Sequence, residues 1–393
     1  MLVKIANHPR NYAWGSRTLV GDYFGAEAFG GGKNEPIAEV WFGTHAGSPA
    51  FIKDDPSKSL QQAIGGHDLS FLLKILAADE PLSIQAHPTT AQAEAGFARE
   101  NAAGIALNAS NRNYKDAHHK PEIIVALTDF EMLCGFKPLG DIENLFADMA
   151  SHESVSESFK SLVLHWKELL EKPEGLKQVF SDIIHRRGNL SGFNAELVAL
   201  ADFEARFALA EKLNQLYPGD PGVVVAMLMN HMIIKPGEAV FLPAGNIHAY
   251  LGGLGVELMA SSDNVLRGGL TPKHIDVDEL ERVLDFRAAK IPLVAPKQIA
   301  NRFVEYPCPE DDFVLYLAKP TAGETLDEIK LPGEAILLCT EGEVSISTAD
   351  ADPLRLKVGD AAYLSASAQN VSISGAGSVF LAAQPKPRTA KSL

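Results

Sequence analysis

In the stretch Pro81-Leu82-Ser83-Ile84-Gln85-Ala86-His87-Pro88, the polar residues Ser83, Gln85 and His87 alternate with apolar ones. A period of two is that of a strand, and Pro88 ends it. Ser83, Gln85 and His87 then project from one face as a hydroxyl, a neutral amide and an imidazole. A strand built only to pack would not present that set, because each polar group needs a partner when buried. A metal ion satisfies an amide oxygen and an imidazole at once, with the remaining ligands drawn from elsewhere in the chain. A second such place lies between Gly237 and His248, where Pro243 and Gly245 shape a turn ahead of a histidine. A third is Lys74, a single cation inside the apolar run Phe71-Leu72-Leu73-Lys74-Ile75-Leu76, costly to bury unless paired.

The elements that must position these groups are mostly short strands. Ala38–Phe42, Phe71–Leu76 and Glu122–Leu127 read as strands, punctuated by the aromatic turn Tyr12-Ala13-Trp14-Gly15-Ser16, the loop Gly30-Gly31-Gly32 and the turn Gly47-Ser48-Pro49. Thr89 or Thr90 caps a helix running through Ala91–Asn101. From about Asp141 to Leu216 the period shifts to that of helices: Leu162, Val163, Trp166, Leu169 and Leu170 follow it, as do Phe203, Phe207 and Ala210. Pro218-Gly219-Asp220-Pro221-Gly222 marks the exit. Strands return at Met232–Ile234 and Ala239–Leu242, and a second β-rich block spans about 297–384, a sandwich or barrel by its turns. The tail from Pro385 reads as frayed. Gly237–His248 aligns without gaps to Gly359–Asn370, one strand-turn-strand device used twice, and only the first copy ends in histidine.

The chain of 393 residues carries a formal net charge of −15, which speaks against nucleic-acid and anionic-membrane partners. An anionic substrate then needs a local cationic pocket. No apolar run is long enough to span a bilayer, and the start does not read as a signal peptide, so the cytoplasm is the expected location. Cys134, Cys308 and Cys339, odd in number and scattered, give neither a disulfide framework nor a thiolate metal site.

The turn from Gly237 to His248 resembles the second signature of the cupin superfamily. The first signature is altered: Gln85 stands for one histidine, His87 for the other, and the glutamate arrives late, at Glu122. Together with Tyr114-Lys115-Asp116, His119-Lys120-Pro121-Glu122 and the run from Val256 through Arg267 to Lys273, this resembles the type I mannose-6-phosphate isomerase (phosphomannose isomerase) family. Tyr12–Gly15 and the Glu35–Trp41 segment match it too, so the resemblance covers nearly the whole chain. It implies a mainly β fold with a helical insertion. A cupin-type double-stranded β-helix (jelly-roll) catalytic domain would span 1–140 and 223–296, an α-helical domain 141–222, and a second, metal-free jelly-roll domain 297–393.

The resemblance also implies one zinc ion held by Gln85, His87, Glu122 and His248, a donor set that suits zinc. The implied reaction interconverts mannose 6-phosphate and fructose 6-phosphate through an enediol(ate), serving mannose metabolism and GDP-mannose supply. Arg267 is the catalytic arginine, and Lys120 or His119 the base, Lys120 preferred. Tyr250 and Glu257 line the sugar pocket, with Asp263 a candidate for ring opening and Trp14 at the rim. Lys74 and Ser83 sit at the phosphate end, with Lys273 beside them, and His45 is a candidate supporting residue. The partner is a small sugar phosphate, and the oligomeric state stays open, a monomer included. Two other readings fit a cupin scaffold: an iron dioxygenase, disfavoured by the glutamine, and a non-catalytic sugar-phosphate sensor, disfavoured by the base.

Overall fold

His248–Ala260, 13 residues long, is the central strand of a ten-stranded antiparallel sheet. Its first part pairs with Ile84–Ala86 and Phe130–Phe136, its second with Phe71–Ala78 and Glu122–Ala126. The partners change at Gly252-Gly253. Gly253 has a φ of 118°, and a Cβ there would stand 2.5 Å from the carbonyl of Asp129, so glycine alone lets the strand turn this corner. This computed structural model describes residues 1–30, 35–186, 189–288, 290–368 and 370–385. The glycine loop beyond Gly30 and the frayed tail beyond Pro385 lie outside the described residues.

Strand Phe71–Ala78 is buried on both faces, and the faces do different things. Leu73, Ile75 and Ala77 join Val125, Val256 and Leu258 in a core shared with Leu315, Ile336 and Phe380 of the second sheet. Leu76 and Ala78 point the other way, packing with Ile124, Phe130, Met132 and Tyr250. By the strand period Lys74 shares that second face. The lysine that interrupts the run is thus aimed at the interior of the site-bearing unit.

The second sheet has eleven strands, most of them between Lys297 and Ala383. The expected boundaries are crossed here. Leu2–Ala6 pairs with Ala361–Leu364, and Phe51–Ile52 and Asp55–Ser59 continue the same sheet. The start of the chain, expected in the first unit, covers what would otherwise be an open strand edge. An ion pair of 2.7 Å between Lys4 and Asp360 accompanies the pairing. The two copies of the repeat form matching devices: strands of 4 and then 13 residues at Ala239–Leu242 and His248–Ala260, and again at Ala361–Leu364 and Val371–Ala383.

The helical stretch runs from Leu139–Ser151 to Gly222–Leu228, with Glu157–Leu170, Gly175–His185, Ser191–Ala199 and Ala208–Leu216 between. In Glu157–Leu170, Phe159, Val163, Trp166, Leu169 and Leu170 are buried, as the three-and-four spacing requires. Phe203 departs from expectation: it is 61% exposed. The 3-10 turns Leu200–Asp202 and Ala205–Phe207 break the helical period on either side of it, and its ring rests on His152. The helix after Ile84–Ala86 spans Thr90–Ala102, capped by Thr89 through a reciprocal box with Gln92. No described helix is long and apolar enough to cross a membrane. Cys134, Cys308 and Cys339 are free thiols.

Candidate metal centre

Three buried side chains converge, two from strands and His87 from just past the end of Ile84–Ala86: one ligand atom each from His87, Glu122 and His248 lies within 4.8 Å of the others. His87 Nε2 is 3.4 Å from one oxygen of Glu122, and His248 Nε2 is 3.5 Å from the other. His87 Nε2, Glu122 Oε2 and His248 Nε2 are buried without a hydrogen-bond partner. Such atoms are expensive in a dry interior unless something else satisfies them. The opposite ring nitrogens are occupied: His87 Nδ1 donates to the carbonyl of Asn264 at 2.8 Å, and His248 Nδ1 to that of Asn246 at 3.0 Å. Those bonds fix the tautomer and leave both Nε2 lone pairs facing Glu122. Burial, seconded by the charge of Lys120, pushes His87 down to about 4, so its ring is neutral. Burial works against a charge on Glu122, but the charge of Lys120 prevails and holds its carboxyl well below the usual range. Two imidazoles and a carboxylate form an N/O donor set that fits a zinc ion.

Sheet register brings further groups alongside. Gln85 is the direct cross-strand partner of His248 on one side and of Arg267 on the other. Directly opposed residues share a face, so Arg267, Gln85 and His248 form one row across the sheet. No carboxylate pairs with Arg267 among the described residues, and burial lowers its pKa. Lys273 is exposed, and the charge of Arg267 is near enough to help burial lower its pKa. This is the cationic edge of the site.

Lys120 and His119, adjacent in sequence, face different ways. Lys120 Nζ lies 2.7 Å from Glu122 Oε1. The His119 ring is turned to Asp312, its Nε2 2.6 Å from Oδ2, with Nδ1 3.9 Å from Glu310. These three form a second group of metal-ligand types, half-buried rather than buried.

Lys74 occupies a different setting from the phosphate end implied for it. It is 3.4 Å from Glu39 and 3.1 Å from Glu257, and sits over the ring of Trp41. Burial opposes its charge, but Glu39 and Glu257 outweigh that and raise its pKa above the ordinary lysine value. Burial likewise raises Glu257, against the pull of Lys74. A phosphate dianion at Lys74 would meet two carboxylates first, so the cation that interrupts the run is there to hold acids. Tyr250 is buried and donates to Glu257 at 2.9 Å. Exposed Asp263 pairs with His45 at 3.4 Å; burial would raise its carboxyl, but His45 and Lys120 keep it low. Trp14 packs part-buried against the cluster that includes Tyr250 and stacks on Tyr12. Ser83 is half-buried just ahead of the strand Ile84–Ala86, which is shorter than its alternating pattern suggests.

Sequence reasoning left out Glu39, Asn264 and Asp312. Glu39 carried a signal: a glutamate two positions before Trp41 in an otherwise apolar strand, where Trp41 Nε1 now donates to it at 3.0 Å. Asn264 is fully buried and binds the 115–118 segment through both ends of its amide. Asp312 had no local signal at all.

Residues 2–139 match the family described as phosphomannose isomerase type I, catalytic domain. The mannose-6-phosphate isomerase of Escherichia coli is 36% identical, the match covering 95% of this chain and 97% of that protein. The probable mannose-6-phosphate isomerase of Caenorhabditis elegans is 34% identical over 100% of this chain and 98% of its own. Among solved structures, a mannose 6-phosphate isomerase from Salmonella typhimurium, bound to its substrate fructose 6-phosphate and a zinc atom, superposes with a TM-score of 0.88 at 35% identity, covering 98% of this chain and 100% of the other. A zinc-bound holo form superposes at 0.87 with the same identity and coverage.

Proposed function

The chain belongs to the type I mannose-6-phosphate isomerase family, and from that premise we propose that it interconverts mannose 6-phosphate and fructose 6-phosphate in a zinc-dependent reaction. The observation that carries this reading is the convergence of three buried ligand atoms without a hydrogen-bond partner beside Lys120, with Arg267 in the same row across the sheet. His87, Glu122 and His248 would hold the ion, joined by Gln85 from the same face. The site-bearing unit is then a cupin-type jelly-roll, and the repeat a second, metal-free copy of it. A bound zinc would polarise the sugar oxygens and, by its charge, favour the neutral amine of a neighbouring lysine.

The chain's own groups do the rest. The Lys120 amine takes the C2 proton of open-chain mannose 6-phosphate, forming an enediol(ate), and returns it to C1 as the O2 proton moves to O1. The Arg267 guanidinium meets the negative charge that develops on oxygen. Lys273 and Ser83 take the phosphate, and Lys74 passes from that role to holding Glu257 and Glu39. Asp263, paired with His45, handles the proton of ring opening. Tyr250 and Glu257 shape the sugar pocket, and Trp14 closes its rim. His119 serves less well as base, because its ring is turned to Asp312.

The test is a coupled assay of the wild type, Lys120→Ala and Arg267→Ala, with zinc content measured on each. Both variants are expected to keep zinc and to lose turnover by 100-fold or more, roughly the scale of general-base and oxyanion contributions. Wild-type turnover in either variant overturns that residue's role.

A further inference from the structure

We infer that His119 and Asp312 are positioning residues: the C-terminal sheet unit holds the Lys120 segment in place through their ion pair. The inference rests on Lys120 being the base. Glu122 does not need such help. It opens a strand, paired with Leu242 on one side and Met259 on the other. Lys120 lies before that ladder begins, in an irregular stretch that reaches the sheet at Pro121, whose carbonyl accepts from Ala260. The stretch is held instead by side chains on its two flanks. On one flank the Asn264 amide binds the carbonyls of Asp116 and His118 and the amide N–H of Lys115. On the other, His119 donates to Asp312 at 2.6 Å.

Asp312 is well placed to hold something. Its backbone carbonyl accepts from Ser70 Oγ at 2.6 Å, and the Ser70 N–H donates to Gln384 at 3.0 Å. Ser70 and Gln384 are buried, and Phe313 beside it is core. The anchor therefore joins the last strand of the C-terminal unit to the start of the strand that carries Lys74. The His119 ring is turned to Asp312 and the neighbouring Lys120 side chain to Glu122, so holding the ring holds the backbone from which Lys120 departs. A displacement of about 1 Å at a proton-transfer group costs up to about 100-fold in rate. The C-terminal unit thus contributes to turnover without touching substrate.

The experiment measures kcat, KM and zinc content for Asp312→Ala, His119→Ala, their double variant, His119→Gln and Lys120→Ala. Both single alanine variants are expected to lose about 10- to 100-fold in kcat with KM and zinc content unchanged. The double variant should lose less than the product of the two single losses, because the bond between the two residues is shared. Glutamine keeps an N–H near the Nε2 position, so His119→Gln should recover most of the rate. Wild-type kcat in Asp312→Ala, multiplicative losses in the double variant, or a His119→Gln protein as slow as His119→Ala each overturn the inference. Should Asp312→Ala fail to fold, the His119 variants decide the question alone. An active Lys120→Ala protein removes the base assignment and this inference with it. A dead Lys120→Ala beside a full-speed Asp312→Ala removes this inference only.

Discussion

Replacing Lys74 with methionine would leave Glu39 and Glu257 buried together with no cation between them. The ammonium lies 3.4 Å and 3.1 Å from the two carboxylates. At an effective dielectric of about 20 each contact is worth about 5 kcal/mol before desolvation. Burying the lysine gives much of that back, and removing one partner of a buried ion pair typically costs about 3–5 kcal/mol in all. Unfolding entropy of about 2.1 cal/mol/K per residue, over 393 residues, turns this into a Tm lower by about 4–6 °C at neutral pH. The deficit should depend on pH. Burial already raises the Glu257 carboxyl, and without Lys74 it takes up a proton more readily still. Protonation removes the penalty, so the deficit is full at neutral pH and above and shrinks as pH falls into the carboxylate range. Thermal unfolding of metal-free wild type, Lys74→Met and Lys74→Met/Glu39→Gln, from pH 7.5 down to 4.5, measures this; the double variant should regain part of the loss. An unchanged Tm in Lys74→Met, or a deficit that does not shrink in acid, refutes the reasoning.

The corner at Gly253 gives a sharper steric test. Gly253→Ala should cost at least about 2 kcal/mol, from the positive φ and the contact with Asp129, whereas Gly252→Ala, whose Cβ meets nothing closer than 3.7 Å, should cost much less; chemical denaturation of the two compares them directly. Glu131, held down to about 2 by its bond to His231 and by Lys212, against some burial, contributes stability that is present above the ordinary carboxylate pKa and lost as pH falls toward about 2. The group is partly exposed, so the effect is below about 1 kcal/mol. Unfolding of Glu131→Gln between pH 5 and 2.5 should show a correspondingly flatter acid slope, and an identical slope would argue against the pairing.

Much of the site could be read because polar groups stand out in apolar strands. His87, Glu122 and His248 each occupy a position where packing alone would place a hydrophobe, and each turns out buried with an unpartnered atom. Thr89 could be read as a cap because capping is chemistry within four residues. What escaped was long-range. Nothing near Leu2–Ala6 says that its partner lies at Ala361–Leu364, because strand pairing carries no local code beyond a suitable edge. Lys74 was legible as a cation needing a partner, but its partners lie on other strands, one of them 35 residues away, so the phosphate was the more natural guess. Asp312 is 193 residues from His119 and sits in an unremarkable acidic loop, so only the folded chain brings the pair together.

The central claim is that zinc on His87, Glu122 and His248 enables isomerisation of a hexose 6-phosphate. Its most direct measurement is fructose 6-phosphate formation from mannose 6-phosphate by the purified chain, chelated and then titrated with zinc. No turnover is expected after chelation, with activity restored in proportion to zinc bound and saturating at one ion per chain. Full turnover by protein shown to be metal-free, or zinc bound at one per chain with no fructose 6-phosphate formed, would contradict it.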